Sequence, residues 1–164
     1  MTNQTQQDVC CLMGDPVAGN PTQYMLEKAI EAGRLDWRFL TFQITALDFE
    51  GALRGARIFG FRGIMLTAPH DSAVLPYIEQ ISEVARLSQQ VNCIKQVDGQ
   101  LHGENTFGKA LSHLVKQSSD VTGRQVTILG AGRTARVLAA EFALQGVQEI
   151  LLINKDPDQQ TGAS

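Results

Sequence analysis

Val126-Thr127-Ile128-Leu129-Gly130-Ala131-Gly132-Arg133-Thr134-Ala135 decides how this chain is read. An apolar, β-branched run enters a tight glycine turn, and a helical pattern leaves it. A dinucleotide-binding turn needs that order. Gly130 makes the turn, Gly132 lets backbone approach a pyrophosphate, and the small Ala135 lets the helix pack close to the strand. The helix start, at Thr134, then presents free N–H groups and a positive dipole end to phosphate.

Outward from that turn, apolar stretches alternate between strand and helix spacing. Towards the C-terminus, a helix over 134–144 ends at Gly146, and Ile150 to Ile153 is a second apolar strand closed by Asn154-Lys155-Asp156-Pro157. Both strands are continuous apolar runs, the pattern of strands buried on two faces. Towards the N-terminus, strands are expected at 9–13, 37–44 and 63–67 and helices at 24–32 and 49–59, with Asp48 as a cap. Either Asn20 or Thr22 is suited to cap the helix at 24–32. Two short helices follow, at 71–78 and 82–87. Asp98-Gly99 between apolar runs predicts a hairpin, and 106–116 has helical spacing. The alternation makes this an α/β protein with a mostly parallel sheet.

Composition bounds the function. The chain has 164 residues, 43% hydrophobic and 19% charged, values typical of a soluble globular protein. A net charge of −3 gives no basic footprint for nucleic acid. The polar start, Met1 to Asp8, lacks the basic and apolar regions of a signal peptide. No apolar run is long enough to span a bilayer, so no membrane partner is expected. Cys10, Cys11 and Cys93 are odd in number and lack metal-ligand spacing. They read as buried thiols in a reducing compartment, which makes the cytoplasm the expected location and leaves no metal site. His102 and His113 read as surface residues.

Five stretches, taken together, resemble the shikimate dehydrogenase family. Gly14-Asp15-Pro16-Val17-Ala18 is similar to its opening Gly-Asn-Pro-Ile-Ala. Gly63-Ile64-Met65-Leu66-Thr67-Ala68-Pro69-His70 is similar to its Gly-Ala-Asn-Val-Thr-Val-Pro-His, and Gln90-Val91-Asn92-Cys93-Ile94 to its Ala-Val-Asn-Thr-Leu. Gly103-Glu104-Asn105-Thr106-Phe107-Gly108 resembles its Gly-Asp-Asn-Thr-Asp-Gly. Gly130-Ala131-Gly132 with Asn154-Lys155-Asp156 resembles its glycine loop and later Asn-Arg-Thr.

The resemblance implies a substrate-binding domain over 1–105 and the start of a Rossmann-type NAD(P)-binding domain over 106–164. It also implies NADP-dependent interconversion of 3-dehydroshikimate and shikimate in the cytoplasm. A complete dinucleotide fold uses about six strands and this segment supplies two. The expectation is therefore a fragment or a short form, with a homodimer or a missing C-terminal segment covering the sheet.

Two departures bear on chemistry. The family's Lys after Pro-His is Asp71 here, and the second Asp of its Gly-Asp-Asn-Thr-Asp-Gly is Phe107. Those are the family's presumed proton-transfer pair. A phenyl ring exchanges no proton, and Asp for Lys reverses the charge. Activity is expected to be impaired or altered. The alternative is a non-catalytic homologue that binds or senses a small molecule. His70 beside Asp71 is a weak substitute acid–base candidate.

The family's two carboxylate-holding serines correspond to Asn20 and Thr22, which still donate hydrogen bonds. Thr67, Asn92 and Asn105 match family contacts to a small polar hydroxy-acid. Thr67 and Asn92 also suit a buried hydrogen bond, and Asn105 also suits a helix cap. Lys155 stands where the family's Arg serves NADP, although Lys binds phosphate only as a point charge. Asp156 would favour NAD. Arg133 and Arg136 are alternative phosphate contacts. NADP is the expected cofactor, with NAD left open.

Overall fold

A computed structural model describes residues 7–155. They fall into two compact units, one holding the described residues up to 81 together with 91–103 and the other 82–90 together with those from 104 onward. Asp156 and the polar tail lie outside the described residues.

The first unit is built on β1 (Asp8–Gly14), β2 (Trp37–Gln43), β3 (Gly63–Leu66), β4 (Gln80–Ile81), β5 (Cys93–Val97) and β6 (Gln100–Glu104). They make one sheet in the order β2-β1-β3-β5-β6-β4. β1 runs parallel to both β2 and β3, β3 is antiparallel to β5, and β4 is parallel to β6. The expected mostly parallel α/β class is therefore observed. Helices α1 (Thr22–Ala32) and α2 (Phe49–Ile58) are the crossovers that parallel neighbours require. α2 buries Phe49, Leu53 and Ala56, and each of the two larger side chains contributes about 1.5–3 kcal/mol by leaving water. α1 buries no residue completely.

Several local expectations are corrected. Asp48 precedes α2 but its side chain makes no cap; it accepts a hydrogen bond from the Thr45 hydroxyl at 2.8 Å instead. The helix expected over 71–78 is two pieces, α3 (His70–Ala73) and a 3-10 turn at Leu75–Tyr77. Pro76 lacks an N–H and disfavours helical geometry in the residue before it, so a regular helix cannot run through. α3 has no side-chain cap, and Asp71 is its second residue. β4 escaped sequence reading because two residues carry no period. It is registered by Glu79, whose N–H donates to Leu101 O and whose carboxylate accepts from Leu101 N–H at 2.7 Å. The hairpin forms at the expected place, with Asp98 and Gly99 both at positive φ (50° and 76°), the signature of a type I′ turn.

The second unit contains α4 (Glu83–Ser88), α5 (Thr106–Ser118), β7 (Gln125–Leu129), α6 (Arg133–Leu144) and β8 (Glu149–Ile153). Ser82 caps α4 through the Ala85 N–H. β7 and β8 pair in parallel as a two-stranded sheet. Gly108 is where α5 meets α6: a Cβ there would come within 2.8 Å of a Val137 methyl. The prediction that β7 and β8 are buried on two faces is not met. Leu129 is 82% exposed and Leu151 54%, because α6 covers one side only.

Candidate functional site

In the first unit the candidate residues gather at the carboxyl ends of β1 and β3. In open α/β sheets ligands bind there. Thr67 leaves β3 with its N–H donating to Met13 O on β1, and Leu66 N–H donates to Asn92 O. The Thr67 carbonyl then accepts from the N–H groups of His70 and Asp71, and Asp71 O accepts from Val91 N–H at 2.7 Å. Thr67, Asp71 and Asn92 are thereby locked side by side through backbone bonds. Gly14 closes the floor. A Cβ at that position would overlap the Thr67 hydroxyl, so only glycine allows the two strand ends this approach. The Thr67 hydroxyl is shielded from water and has no hydrogen-bond partner in this structure.

From Gly14 the chain runs through Asp15, half-buried and accepting from the Gln43 amide at 3.1 Å, to Asn20. Asn20 Oδ1 accepts from Thr22 N–H at 2.9 Å. Of the two capping candidates, Asn20 therefore covers the first free N–H of α1, and its amide nitrogen remains a donor.

His70 is fully buried. Its ring lies flat on Phe49, with centroids 4.3 Å apart and planes 5° apart. Nε2 lies 2.6 Å from the Ile44 carbonyl, which can only accept, so Nε2 carries the hydrogen and donates. The ring thus pins the turn after β3 to the end of β2. Asp71, next to it, is 9% exposed.

In the second unit Asn105 is 2% exposed and caps α5, its Oδ1 accepting from Phe107 N–H at 3.1 Å while its Nδ2 donates to Gln90 O at 3.2 Å. Phe107, in the first turn of α5, is 45% exposed. Beside them Glu104 accepts from the Ser82 hydroxyl (2.6 Å), the Asn105 N–H (3.1 Å) and the Lys109 ammonium (2.9 Å). Burial raises the Glu104 carboxyl, but these three donors outweigh it and hold it below the usual value. Lys109 is raised in turn, chiefly by its bond to Glu104.

The glycine turn has the expected geometry. Gly130 sits at φ +111°, a region that favours glycine, and its N–H donates to Ile153 O at 2.6 Å. Gly132 precedes α6 in extended conformation, with open space where a Cβ would stand and no side-chain cap on the helix. Ala135 is buried at 7% exposure, as close helix packing requires. Burial, and then the nearby Arg136, lower the Arg133 guanidinium from its ordinary value. Arg136 Nε is buried with no hydrogen-bond partner in this structure. Two adjacent cations and a buried donor awaiting an acceptor, at an open helix start, fit the pyrophosphate or phosphate of a dinucleotide. Asn154 Oδ1 accepts from Lys155 N–H at 3.0 Å.

Gln90 is a site residue that sequence reading missed. Its amide donates to Arg133 O at 3.0 Å, tying the end of α4 to the glycine turn. The two residues are 43 positions apart, and nothing local announces the bond. The Ser82–Glu104–Lys109 cluster was missed for the same reason. No group of three or more His, Cys, Asp or Glu among the described residues is placed to hold a metal ion, and no helix among them is long and apolar enough to cross a membrane.

Comparison with known proteins bears directly on this arrangement. The family model described as the shikimate dehydrogenase substrate binding domain matches residues 12–94. The chain belongs to the shikimate dehydrogenase family. The shikimate dehydrogenase (NADP(+)) of Moorella thermoacetica is 35% identical over 151 residues, covering 92% of this chain and 51% of that protein. Among solved structures, the ligand-free 5-ketofructose reductase of Gluconobacter sp. strain CHM43 matches with a TM-score of 0.90 at 34% identity, covering 94% of this chain and 56% of that one. Shikimate 5-dehydrogenase from Listeria monocytogenes, in complex with shikimate and NAD, matches with a TM-score of 0.88 at 27% identity, covering 96% and 56%. The chain spans about half the length of the curated relatives it matches.

Proposed function

We propose that this chain supplies the substrate-binding part and the opening of the nucleotide-binding part of an NADP-dependent oxidoreductase of the shikimate dehydrogenase type, with its proton-transfer positions altered. The observation that carries this reading is the fixed row of Thr67, Asp71 and Asn92 at the carboxyl ends of β1 and β3. The domain division proposed with it puts substrate binding in 1–105 and nucleotide binding from 106 onward.

When bound, the cofactor supplies the hydride, which goes to a carbonyl carbon while a proton goes to the carbonyl oxygen, giving the alcohol and NADP+. Gly130, Ala131, Gly132 and Thr134 would hold the pyrophosphate. Arg133, Arg136 and Lys155 would meet phosphate charge, with Asn154 and Asp156 at the ribose end and NAD the alternative cofactor. Asn20, Thr22, Thr67, Asn92 and Asn105 would position the substrate's oxygens. His70, with its Nε2 spent on Ile44, acts as an anchor for the Thr67–Asp71 turn. Phe107 neither gives nor takes a proton, so the family's relay is interrupted. Loss of a general acid or base costs about 10²–10⁴-fold in rate.

The purified chain is expected to bind NADPH but to show no measurable NADPH oxidation with 3-dehydroshikimate. Turnover at the rate of a full-length relative assayed alongside would overturn the altered relay. Absence of NADPH binding would overturn the nucleotide half. A second reading, a ligand-binding homologue without catalysis, is favoured by Phe107, whose half-exposed phenyl ring stands where the family has an ionisable group.

A further inference from the structure

The two faces of the first unit's sheet are covered unequally. Successive strand residues point to opposite faces. On one face Cys11, Ile64 and Ile94 lie side by side in register, all buried. On the other, Cys10, Met65 and Cys93 are half-buried and Lys95 is exposed. α1 packs against β2 and β1 and buries none of its residues completely, so it closes only part of that second face. The remainder is a cavity of about 700 Å³, the size of a small-molecule site. Leu26 and Ile30 of α1, Trp37 and Phe39 of β2, and Cys10 and Met65 make its lining largely apolar. Gly63 stands in register between Cys10 and Lys95 and deepens the floor. A Cβ there would meet Cys10 Sγ at 3.5 Å and Ile94 O at 3.4 Å, ordinary contact distances, so the dip exists because the side chain is missing and not because a neighbour needs the space. Asn20, Thr22, Thr67, Asp71 and Asn92 do not line this cavity.

The charges decide what suits it. Arg62, Lys95 and Asp98 are the charged residues of the lining. Arg62 is already paired with Asp8 at 3.4 Å, and Asp98 belongs to the turn beyond β5. Lys95 rises from the floor row itself, and among the described residues it forms no ion pair. A lysine so placed lays its stem along apolar surface and keeps its ammonium at the mouth. We propose that this cavity binds a small amphiphilic anion, an apolar carboxylic acid whose hydrocarbon body lies on the sheet face and whose carboxylate meets Lys95. The apolar lining rewards the body, and the unpaired ammonium selects the head. The inference is independent of the substrate reading, since the two sites share no residue.

Trp37 is the chain's one tryptophan and lines the cavity, so its fluorescence reports occupancy directly. The test titrates the purified chain with decanoate and with decanol, a matched neutral probe, at low and at high salt. Decanoate is expected to change Trp37 emission and to bind about tenfold more tightly than decanol, a gap that narrows as salt screens the charge. Lys95→Gln is expected to remove the decanoate advantage and leave decanol binding as it was. Gly63→Val, which fills the floor, is expected to weaken both probes at least about tenfold. Because Lys95 is exposed, its variant keeps the proposal open to refutation even where Gly63→Val fails to fold. Equal binding of the two probes, an unchanged gap in Lys95→Gln, or binding without a change in Trp37 emission overturns the proposal. So does a dimer by sedimentation that binds neither probe and shields Trp37 from acrylamide, a result that gives this face to a second copy of the chain.

Discussion

The two sheets are written in the same local grammar and end up in different states. β1 pairs on both sides, with β2 and β3, and its Cys11 and Leu12 are 0% and 1% exposed. β7 and β8 are as apolar, yet among the described residues they pair only with each other, and Leu129 and Ile153 are 82% and 48% exposed. A strand's composition sets how much it is able to bury; its neighbours decide how much it does. The glycine turn nevertheless keeps the expected backbone geometry, because that geometry depends on the Gly130–Ile153 bond and the start of α6, both local to the unit.

The contrast should appear first in core truncations. Leu12→Ala is expected to cost about 3–5 kcal/mol in urea unfolding, the range for a fully buried leucine. Leu151→Ala, on the exposed face of β8, is expected to change stability by less than about 0.5 kcal/mol. Equal costs would mean that the second sheet is covered in solution. Gly14→Ala should come next, at about 1–3 kcal/mol, since the added methyl must displace the Thr67 hydroxyl; ligand titration should show a weakened site even where the fold survives. Asn105→Ala removes the α5 cap and leaves Gln90 O without its amide donor, for about 1–2 kcal/mol in the same assay.

The smallest effect concerns pH. Glu104 has a folded pKa below its unfolded value, so its contribution is present above the ordinary glutamate range and is lost as pH falls through the lowered folded value. The acid limb of a stability–pH profile should therefore flatten in Glu104→Gln, with little change of slope near neutrality. An identical acid limb would show that the Ser82, Lys109 and Asn105 donors do not bias the carboxylate.

Much of this was legible in the sequence because the signals were short-range. Asp98-Gly99 demands positive φ at both positions and produced the hairpin. Gly130 and Ala135 announced a turn and a close helix, and both are as read. Asn20 as a capping oxygen and Asn105 as a cap followed from side-chain chemistry. Pro76 breaks the expected 71–78 helix by a local signal that sequence carries. The remainder depends on contacts between distant residues. His70 looked like half of an acid–base pair until Phe49 and the Ile44 carbonyl enclosed it. The thiols were partly readable. Cys11 is buried, and desolvation pushes it up to about 12, whereas Cys10 and Cys93 are only half-buried. Exposure of β7 and β8 was beyond sequence pattern, which reports an apolar run and not what lies against it.

The chain passes between its two compact units at 81/82, 90/91 and 103/104. α4 is consequently synthesised before the β5–β6 hairpin, yet it packs with α6, made dozens of residues later. On the ribosome, the buried face of α4 (Val84, Ala85 and Ser88) has to wait for its partner, α6. A single cut after 103 keeps the residues of the first unit on one piece but separates 82–90 from the rest of the second. A protease that nicks the chain once after 103 should leave two pieces that stay together until denatured, and 104–164 expressed alone would lack the α4 part of its unit's core.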